Sequence, residues 1–236
     1  MYKNILFHSF LIVIISLLIA LGCWQIQRLE WKNQIISKIE ENYNNKVIDF
    51  PFFDNTSQFE YMRSEINGSY LPDKLMFFYK SNLNGESGFN IIVPFKTLKG
   101  NIVYVNNGWI PYKDKGELDI SFINKSKIVS LNGVLIFKKD RKYFTPKNDY
   151  NNNIWYLLNT DEMDLIHNLS SSNYVLKLVD QKYFKEFLIE FKPTNINNNH
   201  LQYAITWFLM ALFIGIFYIY LIKQQVKKDE IFKHKR

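Results

Sequence analysis

The chain has one cysteine, Cys23, among its 236 residues. A lone thiol rules out an intrachain disulfide framework and any CxxC redox or copper-carrier motif. Histidine is almost as scarce, with four copies, none spaced as a metal pair. No GxSxG, P-loop, GxGxxG or HExxH pattern occurs, so the usual hydrolytic, nucleotide-binding and zinc-peptidase constellations are missing. We expect a protein that is not an enzyme. Acids are also short of bases, giving a formal charge of +7, but the excess is local. The tails 1–4 and 223–236 hold seven Lys/Arg against two acids, leaving 22 against 20 in the middle. The basicity therefore belongs to the chain ends, and a nucleic-acid partner is not implied.

What is abundant is hydrophobicity in two blocks. Ile5 to Gly22 is an eighteen-residue run whose polar members are His8, Ser9 and Ser16, and Leu201 to Ile222 runs twenty-two residues without a charge. Each matches the ~20 residues a helix needs to cross a ~30 Å hydrocarbon layer. The sequence predicts two transmembrane helices, 5–22 and 201–222, with short tails at 1–4 and 223–236 and a single domain at 23–200. Six basic residues, Lys223, Lys227, Lys228, Lys233, Lys235 and Arg236, follow the second helix. By the positive-inside bias the C-terminus is expected in the cytoplasm. Two spans then put both termini there and the domain outside, and the setting expected is the bacterial inner membrane. No Arg- and Ser-rich presequence precedes the first helix, which disfavours a mitochondrial origin.

After Gly22 the helical pattern continues to about Tyr43, so a helical extension is expected over 23–43, and Pro51 marks a linker. Strands are expected at about 61–70, 75–80, 89–97, 102–109, 128–137, 154–158, 174–179 and 187–191, with a short helix at 161–169 capped by Thr160. Their aromatic content and spacing predict an α+β membrane protein whose outer domain is β-rich and antiparallel, as one sheet or a small barrel.

Three stretches stand out. The first helix ends in LGCWQIQRLEWK (Leu21 to Lys32). Lys3, the apolar run and Gly22-Cys23 resemble a lipoprotein cleavage box, but the helical pattern runs straight through the cut, and Trp24 and Trp31 suit a headgroup-level belt beyond a membrane anchor. The second, IVYVNNGWIP, reads as a strand ending in a tight turn at Gly108, with Trp109 at the core edge and Pro111 stopping the ladder. The third, NNNHLQYAITWF, opens the second helix at His200, with Tyr203, Ala204 and Trp207 one and two turns below. Imidazole is a common axial ligand of haem iron, and a lone interfacial histidine is the bland alternative. His8 lies about 21 Å deeper at 1.5 Å per residue, so His8 and His200 cannot share one iron.

Together these stretches resemble the Surfeit-locus family of cytochrome c oxidase assembly factors. The matches are Gly22, Trp24, Gln25, Arg28, Trp31 and Lys32 after the first helix; Gly68 and Tyr70 of a GxY strand; Gly108, Trp109 and Pro111; and Asn198, His200, Tyr203, Ala204, Trp207 and Phe208. The basic residue that the family places before Gly108 is Asn107 here. The resemblance implies a chaperone role in maturing haem-copper oxidase of the respiratory chain, through binding haem a in the membrane and aiding its insertion into the large catalytic subunit. His200 carries over as the candidate ligand, with Tyr203 and Trp207 as pocket walls. Trp24, Gln25, Trp31, Gly108 and Trp109 carry over as candidate partner or pocket residues. Arg28, at the depth of His200, is expected to pair with haem propionates. Implied partners are the oxidase large subunit, haem a synthase and membrane lipids. The rival reading is a protein that docks on oxidase subunits through Trp109 and the sheet and never holds haem.

Overall fold

The computed structural model describes residues 2–82, 84–118, 123, 127–179, 187 and 198–233. The chain forms two units, one of residues 1–37 with 196–236 and one of residues 38–195.

The first unit is an antiparallel pair of long helices, α1 (Tyr2–Asn44) and α3 (His200–Lys233). Both are long and apolar enough to cross a bilayer. Their apolar side chains mostly face outward: Phe10, Val13, Leu17, Leu212, Phe213 and Phe217 are all more than half exposed. A helix that is apolar all round and not covered by its own chain wants an apolar surrounding. Small residues mark the contact between the helices. Ala204 and Ala211 are buried, and a Cβ on Gly22 would lie 2.6 Å from the Phe208 ring. Lower on the pair, the His8 ring packs against Tyr218 at 5.5 Å between centroids.

The second unit is a barrel-like sheet of seven strands: β1 (Arg63–Tyr70), β2 (Met76–Tyr79), β3 (Gly88–Thr97), β4 (Ile102–Pro111), β5 (Val129–Phe137), β6 (Ile154–Trp155) and β7 (Ser171–Leu178), with helix α2 (Thr160–His167) before the last. The order is β1-β5-β7-β4-β3-β2-β6, and β1 also pairs with β3, closing a five-stranded ring. β3 makes the closure possible by dividing one edge between two neighbours. Its residues 89–92 pair with β2 and 95–97 with β1. Pro94 sits at the handover with its carbonyl accepting from Leu71 N, so its missing N–H falls where neither ladder needs it.

Alternation along the strands builds two cores. Ile91, Val93, Phe95, Val103, Val105, Tyr174 and Leu176 belong to the main cluster. Ile92, Tyr104 and Val175 point the other way, joining Met76, Trp155 and Met163 beneath α2. β3 and β4 are thus buried on both faces, which is why they read as nearly unbroken apolar runs. Asp164 pins α2 there: it accepts from Tyr104 OH at 2.9 Å and from Ser171 N at 2.6 Å. The His167 ring stacks on Trp155, 6.0 Å between centroids. Burial, and then the nearby Lys74 ammonium, hold its pKa below the ordinary value.

Several expectations need correction. The sheet is not wholly antiparallel: β4–β7 and β2–β6 are parallel pairs. The chain between β4 and β7 contains β5, β6 and α2, ample length for a parallel return. There is no tight turn at Gly108. β4 runs on to Pro111, and the pairing shifts from Asn90–Trp109 to Ile92–Asn106, which places one extra residue on β4. Gly108, at φ +120°, absorbs that bulge. The cap of α2 is Asn159, whose side chain accepts from Glu162 N, while Thr160 is buried. β6 stops at Trp155, three residues before the expected end. Of the strand expected at 187–191, only Phe187 falls within the described residues, and it is buried outside any strand.

Asn107 has a structural task. It is fully buried, accepts from Tyr70 OH at 2.6 Å, and donates to the carbonyls of Val105 (3.1 Å) and Ile91 (3.3 Å). Asn107→Leu keeps the branched shape and takes the amide donor from the carbonyls of Val105 and Ile91, each at about 1–3 kcal/mol. We expect a loss of about 3 kcal/mol of barrel stability by urea titration followed through tryptophan fluorescence.

Candidate functional site

The helix pair brings together two of the residues singled out in the sequence. Gln25 is buried on the α3 side of α1, and its Oε1 accepts from His200 Nδ1 at 2.7 Å. A neighbouring clamp fixes the same level: Asn198 Nδ2 donates to Asn33 Oδ1 at 2.8 Å and to the Leu29 carbonyl at 3.4 Å. With Nδ1 carrying the proton toward Gln25, the imidazole is held in one tautomer and its Nε2 lone pair is the one left for a metal. The half-buried histidine thus has the usual dress of a ligating histidine, an oriented ring with a partner on the far nitrogen.

The other candidates lie around this pair or apart from it. Tyr203 is exposed one turn along α3 from His200, and Trp207 is half-buried one turn further. On α1, Arg28 is exposed, its guanidinium 4.5 Å from the centre of the Trp31 ring and 6.0 Å from that of Trp24. Both tryptophans are about half exposed. Stacking on aromatic faces holds the guanidinium plane and leaves its N–H edge free to meet a carboxylate. The rotation of α1 turns Gln25 to α3 and Arg28 outward. His8 packs against Tyr218, eighteen positions along α3 from His200 and so about 27 Å away at 1.5 Å per residue. Among the described residues no group of His, Cys, Asp and Glu is arranged to hold a metal ion.

Gly108 and Trp109 belong to the barrel. Trp109 is buried, and its indole N–H donates to the Lys80 carbonyl at 2.7 Å. Both serve the local packing of β4, Gly108 through the bulge and Trp109 through this bond, so Trp109 is not the exposed docking contact expected of it.

The residues that carried the resemblance are therefore structural pivots in two places: the helix contact at Gly22, Gln25, His200 and Phe208, and the barrel at Gly68, Tyr70, Gly108 and Trp109. The model of the SURF1 family matches residues 12–212 of the chain, from the first helix through the barrel into the last helix. The chain belongs to the SURF1 family. It is 29% identical to a SURF1-like protein of Rickettsia bellii over 210 residues, 86% of this chain and 85% of that one. It is 26% identical to a SURF1-like protein of Rickettsia felis over 216 residues, 88% and 93% of the two chains. Similarity extends to the Surfeit locus protein 1 of Takifugu rubripes, 25% identical over 229 residues, covering 84% and 90%. Nothing in the sequence pattern alone points to Gln25 as the partner of His200; the available signal is their common depth, which Arg28 shares.

Proposed function

We propose that this member of the SURF1 family is a non-enzymatic assembly factor for haem-copper oxidase, anchored by α1 and α3 in the bacterial inner membrane with both termini cytoplasmic. Its cargo is haem a, which His200 holds by the iron through Nε2 on the way to the oxidase large subunit, with haem a synthase as the source. The observation that carries this reading is the hydrogen bond from His200 Nδ1 to Gln25, because an axial imidazole needs its second nitrogen tied down. Tyr203 and Trp207 offer flat surfaces beside the macrocycle, and Arg28 presents N–H donors to the propionates. Outward-facing apolar side chains along both helices support the membrane anchor. To such a cargo the chain would contribute one oriented nitrogen, aromatic walls and a cation.

The test is the absorbance spectrum of detergent-purified protein from cells that make haem a. A Soret band is expected in the parent protein and should be lost in His200→Ala, with the barrel still folded. Haem-free protein that co-purifies with oxidase subunits would instead support the docking-protein reading, for which the exposed Trp24 and Trp31 are the natural contacts.

A further inference from the structure

The segment between β5 and β6 contains an aromatic tip that neither the barrel core nor the haem reading uses. Tyr143 and Phe144 are 94% and 91% exposed and lie edge to face, 4.9 Å between ring centres. They are held out on a braced turn. Thr145 N donates to the Lys142 carbonyl at 2.9 Å, and Lys142 N to Thr145 Oγ1 at 3.0 Å. Arg141 grips the Pro146 carbonyl at 2.8 Å and, through Nη2, both oxygens of Glu162 at 3.1 and 3.0 Å. Two neighbouring rings presented to water on such a frame represent apolar area that finds its cover elsewhere.

The surrounding charge says what that cover is. Residues 138–147 carry five Lys/Arg and one acid, Asp140. Lys138, Lys139 and Arg141 are paired with Asp161, Glu60 and Glu162. Lys142 and Lys147, which flank the rings, have no ion pair among the described residues and are exposed. An apolar tip of only two side chains is far too small to form a standard protein interface of about 1,600 Å². Tyr and Phe with flanking lysines is instead the composition that enters a headgroup layer, rings at the acyl boundary and ammonium groups on phosphates. We propose that the Tyr143–Phe144 tip is a second, shallow membrane contact that docks on anionic lipid headgroups. The inference rests on the anchored reading above: a domain tethered at both ends by α1 and α3 meets the bilayer at high effective concentration, so a weak contact suffices.

The test places spin labels on full-length protein reconstituted in vesicles, in a Cys23→Ser background that removes the native thiol. One label replaces Tyr143 (Tyr143→Cys) and a second, separate one reports on α1 (Val13→Cys). Accessibility to a water-soluble nickel chelate and to oxygen is read in phosphatidylcholine alone and in its mixture with phosphatidylglycerol. The label at 143 should be shielded from nickel severalfold more in the anionic vesicles. High salt, Phe144→Ser, or Lys142→Glu with Lys147→Glu should release it. A label at 143 that stays water-exposed in both vesicles, or is shielded equally in both, overturns the proposal while a lipid-shielded label at 13 leaves the anchor standing. A water-exposed label at 13 sinks both readings. Shielding at 143 that arises only in native membranes assigns the tip to a protein partner and overturns the lipid contact.

Discussion

Replacing Gly68 with alanine, one added carbon, should cost the barrel at least about 4 kcal/mol, among the largest effects a single substitution produces. The reason is where the carbon falls. A Cβ at Gly68 would stand 2.1 Å from the Lys96 carbonyl oxygen, 2.7 Å from Thr97 Cα and 2.8 Å from the Phe95 ring. Two of these are backbone atoms, so no rotamer change relieves them. Gly68, Ser69 and Tyr70 face Thr97, Lys96 and Phe95 in the only ladder that joins β1 to β3 among the described strands. The backbone bonds Leu98 N to Asn67 O and Leu71 N to Pro94 O flank it. Pushing the strands apart there opens the ring at its seam and leaves edges exposed on both strands. The expected signature is local as well as global. The urea midpoint falls, and amide hydrogen exchange speeds up first in the C-terminal halves of β1 and β3 while β4 and β7 stay protected. Gly116→Ala, where an added Cβ meets nothing within 4 Å, should leave both measurements unchanged. Equal stability of Gly68→Ala and the parent would mean that the β1–β3 seam is not what closes the sheet.

Much of this architecture was legible in the sequence, because its cause is local. β1 to β5 and β7 lie within a few residues of the expected spans, since period-two alternation bounded by Gly, Pro and Asn is a property of short windows. What escaped was set by partners distant in the chain. Nothing in YVLKL says that its neighbour on one side is β4 in parallel and on the other β5 in antiparallel orientation. At Gly108 the same residue types, a glycine followed by an aromatic and a proline, serve a turn or a bulge equally well, and the choice belongs to β3 across the ladder. Asn159 and Thr160 are both good caps, and the helix starts one residue earlier than a Thr160 cap would place it. The helix site shows the same division. Residue types put His200 and the end of the first apolar run at one depth, but the rotation of α1 about its axis, which decides whether Gln25 or Arg28 meets the histidine, is fixed by the packing of Gly22 against Phe208.

That packing yields the second prediction, one that joins structure to the proposed cargo. Gly22→Leu should lower bound haem by about tenfold or more, equivalent to at least about 1.4 kcal/mol of lost affinity, with every proposed ligand residue still present. The Phe208 ring occupies the space where a side chain at position 22 would go, with Cε1, Cζ and Cδ1 all within 2.9 Å of an added Cβ. Alanine can be met by a small swing of the ring. Leucine adds branched bulk that the ring cannot clear, so α1 must move or rotate away from α3. Gln25 lies three residues, less than one turn, from Gly22. A displacement of even 1 Å stretches its 2.7 Å bond to His200 Nδ1 beyond hydrogen-bonding range. The imidazole then loses the partner that sets its tautomer and aim, a loss that typically weakens metal binding 10- to 100-fold at a ligating histidine. Phe208→Ala in the same chain removes the obstruction, and the double variant should regain haem measured as Soret absorbance per mole of protein, with unchanged barrel stability throughout. Rescue would separate the geometry of the helix contact from any direct role of Gly22 or Phe208 in holding the cargo. Full haem loading in Gly22→Leu alone would show that the Gln25–His200 bond does not orient the ligand.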